Sequence, residues 1–169
     1  MFRRLALATC SLLTIASLTS CATFRHNDAA ATVNGVTLSQ DELGAMANSP
    51  VGADLLQESP VGGTMTGAST RALLGGWIGL HAIDDAGLVD QSTKDDARRQ
   101  ISEQYGEKWA LSPPQMQDLA VLNGAISFLA QNNKIDQEAV KVAVSTATVS
   151  VDPRYGRWDP ASSTVLALG

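Results

Sequence analysis

Apolar positions recur every second residue near both ends of the domain and every third or fourth residue between them. That pattern predicts a helical body closed by short strands. Ala31-Thr32-Val33-Asn34-Gly35-Val36-Thr37-Leu38 reads as a hairpin, because Asn-Gly supplies the positive φ angles of a type I′ turn. The register then sets Val33 opposite Val36, puts Ala31 and Leu38 on the same face, and turns Thr32 and Thr37 toward water. Ser39-Gln40-Asp41-Glu42 predicts a capping box, with Leu38 and Leu43 as its hydrophobic staple, and a helix to about Asn48. Thr146 to Val151 alternates cleanly and stops at Pro153, as a strand should. It is the natural third strand for the hairpin. The fold class is therefore mainly α, with a small antiparallel sheet made by an N-terminal hairpin and a C-terminal strand, in one domain over 31–169.

Between these strands, 49–69 is rich in Gly, Pro, Ser and Thr and reads as a mobile connection with one helical turn. Thr70 to Ala86 predicts an apolar helix ended by Gly87, in which Leu73, Leu74, Trp77, Ile78, His81 and Ala82 keep helical spacing. Gly75 and Gly79, one turn apart, would let a second helix approach. Another helix is capped near Ser92 or Thr93, with Asp95 and Asp96 in its first turn, and runs to about Tyr105. Ser112-Pro113-Pro114-Gln115 opens a long helix with Ser112 as N-cap. Its stripe is Met116, Leu119, Leu122, Ile126 and Leu129, and Asn132-Asn133 end it. A shorter helix spans Asp136 to about Val144.

Ahead of the domain, Arg3 and Arg4 precede an apolar run from Leu5 to Leu18, then Thr19-Ser20-Cys21. The run is too short for the roughly 18–20 residues of a spanning helix and fits a secretion signal. Small residues before Cys21 match the pattern read by lipoprotein signal peptidase. Residues 1–20 are thus expected to be a lipoprotein signal, and 21–30 a tether carrying a diacylglyceryl anchor on Cys21. The alternative is an ordinary secretory signal with an incidental cysteine. Losing Arg3 and Arg4 takes the formal charge from −5 to −7. So acidic a body argues against nucleic acid as a partner and against adsorption to anionic lipid, leaving the lipid chains to hold the protein on the outer face of the cell membrane. With Cys10 gone, no disulfide or cysteine–metal site is available.

The chemical inventory is thin, and no cofactor, metal or catalytic residue is expected. His81 lies on the apolar helix beside Trp77, where packing explains it better than catalysis. Asp84 and Asp85 diverge by about 100 degrees on a helix, a poor acid/base pair. With Asp90, Asp95 and Asp96 they lack the alternating spacing of a calcium loop. Ser69, Ser112 and Ser145 have no nucleophile-elbow context. Trp77 reads as core, and Trp109 as a plug between helices. Trp158 belongs to an Arg-, Gly- and Pro-rich segment in which Arg154 or Arg157 could stack on Tyr155 or Trp158. That segment is either a fixed turn or a peptide-contacting surface.

Ala31-Thr32-Val33-Asn34-Gly35-Val36-Thr37-Leu38-Ser39-Gln40-Asp41-Glu42-Leu43 resembles the opening of the SurA/PrsA-type foldases, whose chaperone domain begins with a V-N-G hairpin and an S/T-Q-x-E-L helix start. Val149-Ser150-Val151-Asp152-Pro153-Arg154-Tyr155-Gly156-Arg157-Trp158 resembles the close of foldase-like lipoproteins of actinobacteria. The resemblance spans about 30–160. It lacks the parvulin isomerase domain that family enzymes carry, with its paired histidines, so isomerase activity is not implied. What the resemblance implies is a helical chaperone domain that holds unfolded or nascent exported polypeptides in an apolar groove. Met46, Met65, Trp77, Met116 and Trp158 are the candidate peptide contacts. The competing reading is a lipoprotein adaptor that docks one envelope or foldase partner.

Overall fold

A computed structural model describes residues 28–56 and 67–168. Cys21 and Met65 lie outside them. Strand β1 (Ala29–Val33) and strand β2 (Val36–Ser39) form the hairpin, with Ala31 opposite Leu38, Thr32 opposite Thr37 and Val33 opposite Val36. Asn34 and Gly35 take φ of 48° and 90°, as the turn requires. Strand β3 (Val149–Val151) pairs with the other edge of β1, so the sheet order is β2-β1-β3 and the two ends of the domain share one sheet. β1 begins inside the stretch assigned to the tether, and Ala30 is fully buried. The tether therefore ends earlier than 30.

Helix α1 (Gln40–Ala47) starts with the capping box. The Ser39 amide donates to Glu42 Oε2 at 2.8 Å, and the Glu42 amide donates to Ser39 Oγ at 3.2 Å. Gln115 Nε2 donates to the other carboxylate oxygen at 2.7 Å, which ties α1 to helix α6 (Pro114–Gln131). These donors, the Ser39 amide foremost, hold the Glu42 carboxyl below its ordinary pKa.

Where a single turn was expected in 49–69, Pro50–Leu56 forms helix α2. Pro50 suits a first helical position, and a side chain at Gly52 would collide with the Met46 carbonyl. Helix α3 (Gly67–Asp85) ends in a Schellman motif: the Gly87 amide donates to Asp84 at 2.9 Å and the Leu88 amide to Ile83 at 3.4 Å. Helix α4 (Gln91–Tyr105) is capped by Asp90, two residues earlier than Ser92. Asp90 outcompetes its neighbours because its carboxylate takes the Thr93 amide and the Ser92 and Thr93 hydroxyls together. Asp95 and Asp96 consequently fall in the second turn.

The short helix α5 (Glu107–Ala110) follows, and then α6, whose N-cap is Pro113 rather than Ser112. Ser112 is buried and spoken for: its hydroxyl donates to the Lys108 carbonyl at 2.8 Å and accepts from the Val51 amide at 3.4 Å. Helix α7 (Gln137–Thr146), capped by Asp136, consumes the first residue of the expected last strand. Beyond β3 lies a second, unforeseen hairpin of β4 (Arg157–Asp159) and β5 (Thr164–Leu166).

The core has two lobes. One joins the sheet, α1, α2 and α3 around Leu38, Leu43, Leu74 and Ile78; the other joins α4, α6 and α7 around Val121, Ala125 and Leu129. Ile101, Trp109 and Trp158 pack against both lobes, so Trp109 does plug a helix junction. Gly75 accommodates a close neighbour that is not a helix: a Cβ there would sit 3.4 Å from the Val165 amide of β5. Gly79 faces open space. The tight helix approach occurs at Gly124 of α6, where a Cβ would lie 2.6 Å from Ile101 Cδ1 of α4.

Candidate binding surfaces

Three of the five candidate contact residues are withdrawn from any partner. Met46 and Met116 are fully buried and Trp77 is 3 % exposed, all in the first core lobe. Methionine fills irregular core gaps well, and both are used that way. Trp158 is half-buried at the seam between the lobes, and its indole N–H is buried without a hydrogen-bond partner. It therefore works as a structural wedge. The Arg154 guanidinium pairs with Asp152, Nη2 to Oδ2 at 2.7 Å.

The apolar surface lies elsewhere. A groove of about 190 Å³ runs between α2, α3 and α6, walled by Leu55, Leu56, Leu73, Leu80 and Leu119 and floored by Ala72 and Gly76. Gly76 carries no side chain into the space, which is why a recess exists on a helix otherwise lined with leucines. Leu55, at the rim, is 37 % exposed. Helical spacing marks Leu73 and Leu119 as core, and Leu55 and Leu56 fall in the expected connection, so the sequence singles out none of them as a contact. A second apolar recess of about 100 Å³ follows the α4–α6 seam at Ala97, Ile101, Gly124 and Phe128.

A polar cleft of about 190 Å³ gathers His81 and Asp84 of α3, Gln91, Lys94 and Arg98 of α4, and Asp118 of α6. Two ion pairs cross it and strap α4 down: Lys94–Asp84 at 2.8 Å and Arg98–Asp118 at 3.1 Å. The His81 ring centre lies 4.6 Å from that of Trp77. Burial pushes the imidazole pKa below its usual value, and the carboxylates of Asp84 and Asp118 only partly restore it. Among the described residues no His, Cys, Asp and Glu group is arranged to hold a metal ion.

The His81 shift has a consequence with a definite sign. The fold favours neutral imidazole, whereas the unfolded chain takes up a proton at about pH 6.5. Stability is therefore fullest above about pH 7 and declines as pH falls through 6.5, levelling off once the folded imidazole also protonates. Asp90, held down to about 2 by its hydroxyl and amide donors, acts only in the acid range, as its stabilisation is lost below about pH 4. Urea midpoints at about pH 7.5 and pH 5.5 should differ less for His81→Gln than for the native chain. An equal drop in both would acquit His81.

A fourth recess, of about 540 Å³, lies along β1 and β3 between Ala29, Thr32, Ser150, Asp152, Pro153 and Arg154. No helix among the described residues is long and apolar enough to cross a membrane. Compared with protein-family models, curated proteins and solved structures, the chain matches none.

Proposed function

We propose that the chain is a lipid-anchored extracytoplasmic binding protein, chaperone-like and non-enzymatic, which takes a short apolar stretch of an exported polypeptide into the α2–α3–α6 groove. The observation that carries this reading is the leucine-walled recess itself, exposed at Leu55 and relieved at Gly76. A cavity of about 150 Å³ holds a benzene ring, so this one suits a single bulky apolar side chain. Burying one such side chain is worth about 1.5–3 kcal/mol, which alone gives weak and unselective binding. Anchoring through Cys21 would offset that weakness by concentrating the protein where exported chains emerge.

The small size of the groove also favours a second reading. A long unfolded client offers many apolar side chains and would find a seat for one, with Met46, Trp77 and Met116 sealed in the core. An adaptor docking one folded envelope or foldase partner needs no more than that. Aggregation assays with several unrelated unfolded clients separate the two. Suppression of several, weakened about 10- to 100-fold by Leu55→Lys at the rim, supports the chaperone reading. Suppression of one client alone favours the adaptor, and suppression of none overturns client holding. Prolyl isomerisation by the same preparation should not exceed the uncatalysed rate; clear turnover would overturn the non-enzymatic assignment.

A further inference from the structure

We propose that Asn123 makes the α2–α3–α6 groove a reader of extended polypeptide, its carboxamide pairing with the backbone N–H and C=O of the residue whose apolar side chain enters the recess. This rests on the reading of that groove as a client site. Leu119 and Asn123 lie one turn apart on α6, so they share a face, and both line the groove. Asn123 is exposed and has no hydrogen-bond partner among the described residues. Asn48 and Asn132 behave otherwise. Their Nδ2 atoms donate to the carbonyls of Gly44 and Phe128, one turn back, at 2.9 and 2.8 Å. Asn123 therefore keeps both donor and acceptor free over a recess walled by leucine.

Charge and hydrogen-bonding complementarity commit the occupant. The lining holds no ionisable side chain. Lys108, on α5, is already held by Asp54 of α2 at 2.7 Å. A fatty acid or phospholipid would bring an anionic head to this neutral wall, and its acyl chain would cover the carboxamide without pairing it, which costs the desolvation of both groups. A peptide bond is neutral and offers one donor and one acceptor. In an extended strand the N–H and C=O of one residue point to the same side, so a single carboxamide spans both. In a helix those groups are already bonded to neighbouring turns. Gly76 supplies the room. Nothing among the described residues lies within 4 Å of where its Cβ would be, so a peptide backbone can approach α3 between Leu73 and Leu80. The occupant is thus an extended segment with one aliphatic side chain turned into the groove.

The probe is a capped peptide with one leucine between pairs of alanines. It would be titrated into the full chain, isotope-labelled at its own leucine methyl groups for NMR. Resonances of Leu55, Leu73 and Leu80 should move together. Asn123→Ala should weaken binding about 10- to 30-fold, the net worth of two hydrogen bonds. The variant should fold as before, since an exposed helical Asn gives way to a better helix former. An ester analogue, with oxygen in place of the leucine N–H, should bind the native chain about fivefold more weakly than the amide. Asn123→Ala should remove that difference. Isoamyl alcohol, a side chain without a backbone, should bind both chains alike. Equal peptide affinity in the two chains, or an ester penalty of the same size in both, overturns Asn123 as the reader and leaves the groove standing. A loss of alcohol binding as large as the loss of peptide binding overturns it too, because the substitution then acts on the recess and not through hydrogen bonds. A peptide that moves none of these leucines overturns the groove itself, and this inference with it.

Discussion

Gly156→Ala should lower stability by about 4 kcal/mol, a large part of the 5–15 kcal/mol typical of a domain. Gly156 has φ of 133°, a conformation that costs a residue with a side chain about 1–3 kcal/mol. A Cβ there would also collide with the Leu166 carbonyl, which is backbone and cannot rotate away, so overpacking adds about 1–3 kcal/mol more. The loss should be concentrated in β4–β5, whose Val165 is buried in the first core lobe against Gly75. Thermal melts should show a midpoint lower by roughly 10–20 °C. Amide exchange should show β5 opening ahead of α3. A midpoint within about 2 °C of the native one would mean that the C-terminal hairpin adapts without touching the core.

Cys21→Ser should convert the protein from membrane-bound to soluble while leaving the described domain folded. Two acyl chains give stable anchoring and a bare serine gives none, so the shift is expected to be nearly complete in a membrane fractionation. Circular dichroism of the released form should match that of the anchored form. Retention of most of the variant in the membrane fraction would show that something other than acyl chains holds it there. The released form should also protect clients in cells less well than in a test tube at high concentration, because the effective concentration at the membrane face has gone.

Much of the fold was legible because its signals are local. Asn34-Gly35 fixed the hairpin and its register, Ser39 and Glu42 fixed the start of α1, and Gly87 fixed the end of α3. The third strand was legible from two-residue alternation at Val149–Val151, although α7 claimed Thr146. What escaped was decided by distant partners. α2 survives Gly52 because it packs on α1 and because Ser112, far along the chain, accepts its Val51 amide. β4 and β5 are three residues each, too short to alternate visibly, and their turn is set by the Asp159 carboxylate accepting from Ser162 Oγ at 2.6 Å.

The candidate contacts misled for a related reason. Met and Trp are rich in contact area wherever they sit, and helical spacing cannot distinguish a groove wall from a core wall. Trp77 and Leu80 share one helical spacing, and among the described residues only the open space over Gly76 makes Leu80 part of a groove wall. That open space is set by three helices at once. No window of one helix contains it.

The pairing of Thr32 with Ser150 across the sheet joins positions more than a hundred residues apart. Loop closure on that scale slows folding, since the cost of bringing the ends together precedes the reward. A chain emerging N-terminus first presents β1 with one edge unpaired until residues 149–151 follow. Closure of the sheet therefore waits for residues 149–151, near the far end of the described chain. The third strand serves as a completion signal: β1 is sealed on both edges only once β3 is in place.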